Sequence, residues 1–96
     1  MKEINKFHQE MFSRLPKDIA DKSIEFLKSF LSDEDKQFIK EDFQRDSDTW
    51  WALAHHGWGT GIRNQLRDNV CLDEDLPTPN WDDYYIILIE KACGLR

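Results

Sequence analysis

The residues that could do chemistry cluster in one stretch, WWALAHHGWGTGIRNQLRDN over residues 50–69. His55 and His56 are of the residue type that suits proton transfer. Gly57, Gly59 and Gly61 follow, and Ile62, Arg63 and Asn64 then resume a helical pattern. If Thr60 caps a helix there, the N–H groups of Gly61, Ile62 and Arg63 open it and can receive an anion. Arg63 would add a bidentate fork, with His55 or His56 as a further donor. The candidate ligand-binding set is therefore His55, His56, Gly59, Gly61, Arg63 and Asn64.

The same residues also have a purely structural reading. Thr60 would satisfy the helix donors itself, Arg63 would bond a carboxylate or helix carbonyls, and Asn64 would brace a neighbouring loop. Glycine-rich helix junctions are common and carry no function by themselves, so the structural reading of Arg63 is preferred. A phosphate-cradling P-loop or dinucleotide fingerprint is excluded by spacing and by the lack of a preceding strand. For nucleophilic catalysis no serine or cysteine is forced near either histidine, and the sequence does not place the candidates Cys71 and Cys93. Metal binding needs a third ligand, such as His8 or Asp48, brought in through space. Adjacent histidines on a helix point about 100° apart and do not chelate together. No catalytic residue, cofactor or metal is expected.

Asp73, Glu74 and Asp75, followed by Asp82 and Asp83, form an acidic run without a base. Its plain reading is a solvated loop followed by carboxylates that complement a helix N-terminus. Its sharper reading is a docking surface for a basic partner, drawn in by electrostatic steering.

The block His55-His56-Gly57-Trp58-Gly59-Thr60-Gly61-Ile62-Arg63-Asn64 resembles an H-x-G-x-G-x-x-I-R-N signature of small bacterial and phage-borne domains of unknown function. The resemblance covers residues 50–66. It implies no activity and no catalytic residue, because that family has none established.

Composition narrows the classes further. Nineteen acids against thirteen bases give a net charge of −6. Each half carries the same imbalance, nine bases to twelve acids in residues 1–49 and four to seven in 50–96. A phosphate-tracking surface needs a basic excess, so no nucleic-acid partner is expected. Two cysteines make no disulfide framework, and neither zinc-type spacing nor a CxxC pair occurs. The N-terminus has no apolar core of a signal peptide, and no run approaches a membrane span. The expectation is a soluble cytoplasmic protein.

These side chains must be positioned by helices. Ile4, Phe7, His8, Met11 and Phe12 recur at helical spacing. Pro16 suits the first position of a second helix, with Asp18 and Asp21 near its N-terminus and Ile19, Ile24, Leu27, Phe30 and Leu31 on its apolar face. Ser32 to Asp35 reads as a shortened capping box opening a third helix at Asp33, with Phe38, Ile39 and Phe43 inward. A fourth helix is predicted over residues 49–56 with Gly57 as its C-cap, and a fifth from Thr60 to about Asp68. Gly59 and Gly61 would allow two helices to approach closely. Residues 69–80 read as an extended, exposed linker around Pro77 and Pro79. Asn80 caps a last helix that is apolar around most of its circumference and therefore central, ended by Gly94.

The reading is an all-α single domain, residues 1–96, of five or six short helices. Its predicted core is Phe7, Met11, Ile19, Ile24, Leu27, Phe30, Phe38, Ile39, Leu53, Ile62, Leu66, Trp81, Tyr85, Leu88 and Ile89. The expected function is a non-enzymatic protein–protein interaction module with a partner that is basic. The alternative is an anion or small-molecule binding domain built on the glycine-rich junction at His55 to Asn64.

Overall fold

The computed structural model describes residues 2–46, Trp50, 58–77 and 80–95, with side chains from His8 onward other than that of Trp58. Five α-helices run in order: α1 (Lys2–Arg14), α2 (Lys17–Phe30), α3 (Asp33–Arg45), α4 (Trp58–Asn69) and α5 (Tyr85–Ala92). Two short 3-10 turns, Asp73–Asp75 and Trp81–Asp83, link α4 to α5. No strand occurs among the described residues. The radius of gyration is 12.3 Å, against about 12.5 Å expected for a compact domain of this length. The helical domain expected from the apolar spacing is the one observed. Of the predicted helix over residues 49–56 only Trp50 is described, and it is buried; the rest of that segment, its cap Gly57, and the core positions Phe7 and Leu53 lie outside the described residues and side chains.

α5 is the central element. Tyr85, Ile86, Ile87, Leu88, Ile89, Glu90 and Ala92 are all buried, so the helix is enclosed around its whole circumference. It packs chiefly on α2 and next on α1. α2 meets it with Ala20, Ser23 and Leu27, two of them small enough to let the backbones approach. Ser23 satisfies its buried hydroxyl by donating to the Ile19 carbonyl at 2.7 Å, the usual solution for serine inside a helix. Met11 of α1 and Leu15, just after it, close the same core, and the Lys91 ammonium lies 4.5 Å from the centre of the Phe12 ring. Burying each large aliphatic side chain contributes roughly 1.5–3 kcal/mol.

The helix ends are set by short-range chemistry. Ser32 accepts from the Asp35 N–H at 3.0 Å, and the Asp35 carboxylate accepts from the Ser32 N–H at 3.3 Å. This is the expected capping box. Ser32→Ala should lower stability by about 1 kcal/mol, read as a shift in the urea midpoint; an unchanged midpoint would refute the cap's role. At the C-terminal end Gly94, with φ of 74°, forms a left-handed cap. Its N–H donates to Lys91 O at 3.1 Å and the Leu95 N–H to Glu90 O at 2.8 Å, the paired bonds that satisfy the last carbonyls of α5.

Several expectations are corrected. Pro16 is the N-cap of α2, one position before the first helical residue, with ψ of 140° and a carbonyl that accepts from Ala20. Phe30 and Phe38 are not core residues: they are 44% and 63% exposed. α3 fully buries only Ile39. It is a peripheral helix with a narrow seam, and Phe38 stands about 100° away from Ile39 around the axis. Ile19 and Ile24 are half-buried at the core's edge. The linker is not wholly exposed either, since Leu76 inserts into the core at 5% exposure. The last helix is divided: Asn80 does cap by accepting from the Asp82 N–H, but what it caps is the 3-10 turn that precedes α5.

Candidate functional site

α4 begins at Trp58, so Thr60 lies in its first turn and is not its N-cap. Gly61, Ile62 and Arg63 are the fourth to sixth residues of the helix. Their N–H groups therefore lie past the unsatisfied N-terminal donors, and the three-donor anion cradle is not formed by them. Gly59 is buried and Gly61 exposed. A Cβ added at Gly61 meets nothing within 4 Å, so among the described residues no close approach requires glycine there. His55, His56 and Gly57 lie outside the described residues.

Arg63 is held from several sides. Its side chain is 11% exposed, and Nε donates to Asp82 Oδ1 at 2.6 Å. Nη2 donates to Thr60 Oγ1 at 2.8 Å. The guanidinium also lies 5.0 Å from the centre of the Tyr85 ring, a distance at which the ring's quadrupole attracts a cation. One side chain thus joins α4, the second 3-10 turn and α5. Burial pushes the Tyr85 hydroxyl up to about 12; Asp82 adds to this and Arg63 opposes it.

A second set lies one turn along α4. Arg67 Nε donates to Asp73 Oδ1 at 2.5 Å, and Nη1 to Asn64 Oδ1 at 2.7 Å. Asp73 Oδ2 also accepts from the Trp81 N–H at 3.3 Å. Asn64 and Asp73 are thereby joined through Arg67, although they were proposed for different surfaces. The contact of Asn64 is with its own helix, three residues along, and not with a neighbouring loop. Asp73 is turned toward the fold, while Glu74 and Asp75 remain exposed.

The Arg67 hydrogen bonds hold the Asp73 carboxyl below its ordinary value. A depressed carboxyl contributes stability above the unfolded-state value of about 3.9, and that contribution is lost as pH falls through the lower folded value. Asp83 acts in the opposite sense, because burial and Asp82 raise its carboxyl. Asp73→Asn isolates the first effect. It should reduce stability at neutral pH and flatten the fall in stability below about pH 4. Parallel acid-unfolding curves for Asp73→Asn and the unaltered chain would refute this.

A third polar contact was missed by sequence reasoning. Trp50 Nε1 donates to Glu90 Oε2 at 2.9 Å, and Glu90 is 1% exposed in the middle of α5. The available signal was a single acid in the apolar run YYIILIEKA, where charge is out of place unless bonded. Cys71 and Cys93 are half-buried free thiols. Burial pushes both up from their ordinary value, which lowers the thiolate fraction that a nucleophile requires.

Among the described residues no three His, Cys, Asp or Glu side chains converge as a metal site, and no helix is long and apolar enough to cross a membrane. No family model, no curated protein and no solved structure matches this chain.

Proposed function

We propose that the chain is a non-enzymatic protein-interaction module. The observation that carries this reading is Phe38, an aromatic residue 63% exposed on the outer side of a helix whose opposite side is fixed in the core. Leu72, beside the acidic 3-10 turn, is exposed to 54% and offers a second apolar contact. The polar side chains with recognisable chemistry are engaged in holding elements together: Arg63 with Asp82, Arg67 with Asp73, and Trp50 with Glu90. What the surface presents outward is apolar groups set among carboxylates. Such a surface fits recognition better than turnover. The resemblance of residues 50–66 to small bacterial and phage-borne domains is compatible with this reading and names no activity.

The test is capture from a cell lysate with the immobilised chain, run beside Phe38→Ser and Leu72→Ser. A stoichiometric protein retained by the unaltered chain and lost with either variant supports the module. Retention of no protein, together with tight binding of a small anion, would favour the ligand-binding alternative.

A further inference from the structure

We propose, building on the interaction-module reading, that the outer face of α3 docks a basic polypeptide segment carrying an apolar anchor. Phe38 receives the anchor, and Glu34 and Glu41 receive its charges. Glu34 lies four residues before Phe38 and Glu41 three residues after it, so the three side chains share one face of the helix. All three are exposed. Gln37 Nε2 donates to Glu41 Oε1 at 3.1 Å and steadies that carboxylate beside the ring.

The bases of α3 do not neutralise this face. Lys36 Nζ is directed to the Lys28 carbonyl at 2.8 Å, at the joint with α2. Arg45, seven positions after Phe38 and on the same face, has its charge taken up by Asp42. Lys40, two positions beyond Phe38, lies about 200° around the axis. An exposed ring is therefore bordered by two carboxylates on a helix face that no other described element covers. Phe30, 44% exposed and stacked on Phe26 with centroids 5.4 Å apart, ends α2 just before the cap of α3.

Charge decides the occupant. A second copy of the chain would set Glu34 and Glu41 against their own counterparts, and like charges brought together are destabilising. Anionic lipid and nucleic-acid phosphate are repelled by the same carboxylates and by the net charge of −6. A segment with lysine or arginine on either side of a leucine or aromatic residue matches both the ring and its border. The acidic run at Asp73 to Asp75 is the weaker candidate, because Asp73 is already engaged by Arg67 and the Trp81 N–H.

The experiment uses a displayed library of short random peptides selected on the full chain, with recovered peptides synthesised and titrated. Recovered peptides should combine basic and apolar residues, weaken with added salt, and shift amide signals centred on Glu34, Phe38 and Glu41. Phe38→Ser should weaken binding by roughly tenfold or more, and so should Glu34→Lys with Glu41→Lys, each variant retaining a cooperative thermal transition. Acidic or uncharged peptides, signals shifted elsewhere, or equal binding by Phe38→Ser would overturn the assignment to α3. If those peptides or a captured protein still bind at another surface, the module reading survives. If neither the library nor the lysate yields a binder, both fall.

Discussion

Trp81→Ala should destabilise the fold by about 3–5 kcal/mol, a large part of the roughly 5–15 kcal/mol that holds a domain of this size. Trp81 has no exposed surface. Its Nε1 donates to the Cys71 carbonyl at 3.0 Å, fixing the segment after α4 against the turn that leads into α5. Alanine would open a cavity at this junction and remove that donor from Cys71. Trp81→Phe would refill most of the volume and lose only the hydrogen bond, a deficit of about 1–2 kcal/mol. Urea unfolding followed by far-UV circular dichroism separates the two variants. Equal midpoints for Trp81→Ala and the unaltered chain would show that the junction does not contribute to the fold.

Arg63→Ala should cost less, about 2–3 kcal/mol. Removing one partner of a fully buried pair typically costs about 3–5 kcal/mol. Here the Asp82 side chain is 40% exposed, and water would screen and solvate the abandoned carboxylate in part. The variant also loses the bond to Thr60 and the contact with the Tyr85 ring. Arg63→Lys should recover little, since an ammonium reproduces neither the planar fork nor its stacking. A melting temperature unmoved by Arg63→Ala would remove the structural account of this residue and return the glycine-rich block to candidacy as a ligand site.

The parts of the fold that were legible in the sequence are those decided by neighbours a few residues apart. The capping box at Ser32 is one, because its donors and acceptors all lie within residues 32–35. Gly94 is another, where a left-handed residue follows the last turn of α5. The central position of α5 was legible for a different reason. Its apolar residues cover every face, and such a helix has to be enclosed.

Phe30 and Phe38 were misplaced because periodicity shows which side of a helix is apolar but not how much of that side another element covers. α4 was misread at its start because glycine was taken as a break. The helix runs through Gly59 and Gly61, although each costs about 1 kcal/mol relative to alanine. Packing of Ile62 and Leu66, both essentially inaccessible, overrides that local cost. Within the candidate site, Arg63 could be read as a group needing acceptors, but its partner Asp82 and the ring of Tyr85 arrive from the far side of a turn. Glu90 and Trp50, forty positions apart, left no local trace of their pairing.

The enclosure of α5 has a consequence for the order of events in folding. Its closest packing is with α2 and α1, elements made before it on the ribosome, so those helices lack their main apolar partner until α5 has emerged. Local helix formation is fast, but joining distant segments carries a loop-closure cost that delays the final collapse. In the finished protein, α2 and α5 should open as one cooperative unit. Hydrogen exchange would show the amides around Leu27 and Leu88 protected to the same free energy, close to that of global unfolding. The outer turns of α3, a helix that fully buries only Ile39 among its residues, should exchange by smaller, independent openings. That looseness would let α3 adjust to a bound segment without disturbing the core.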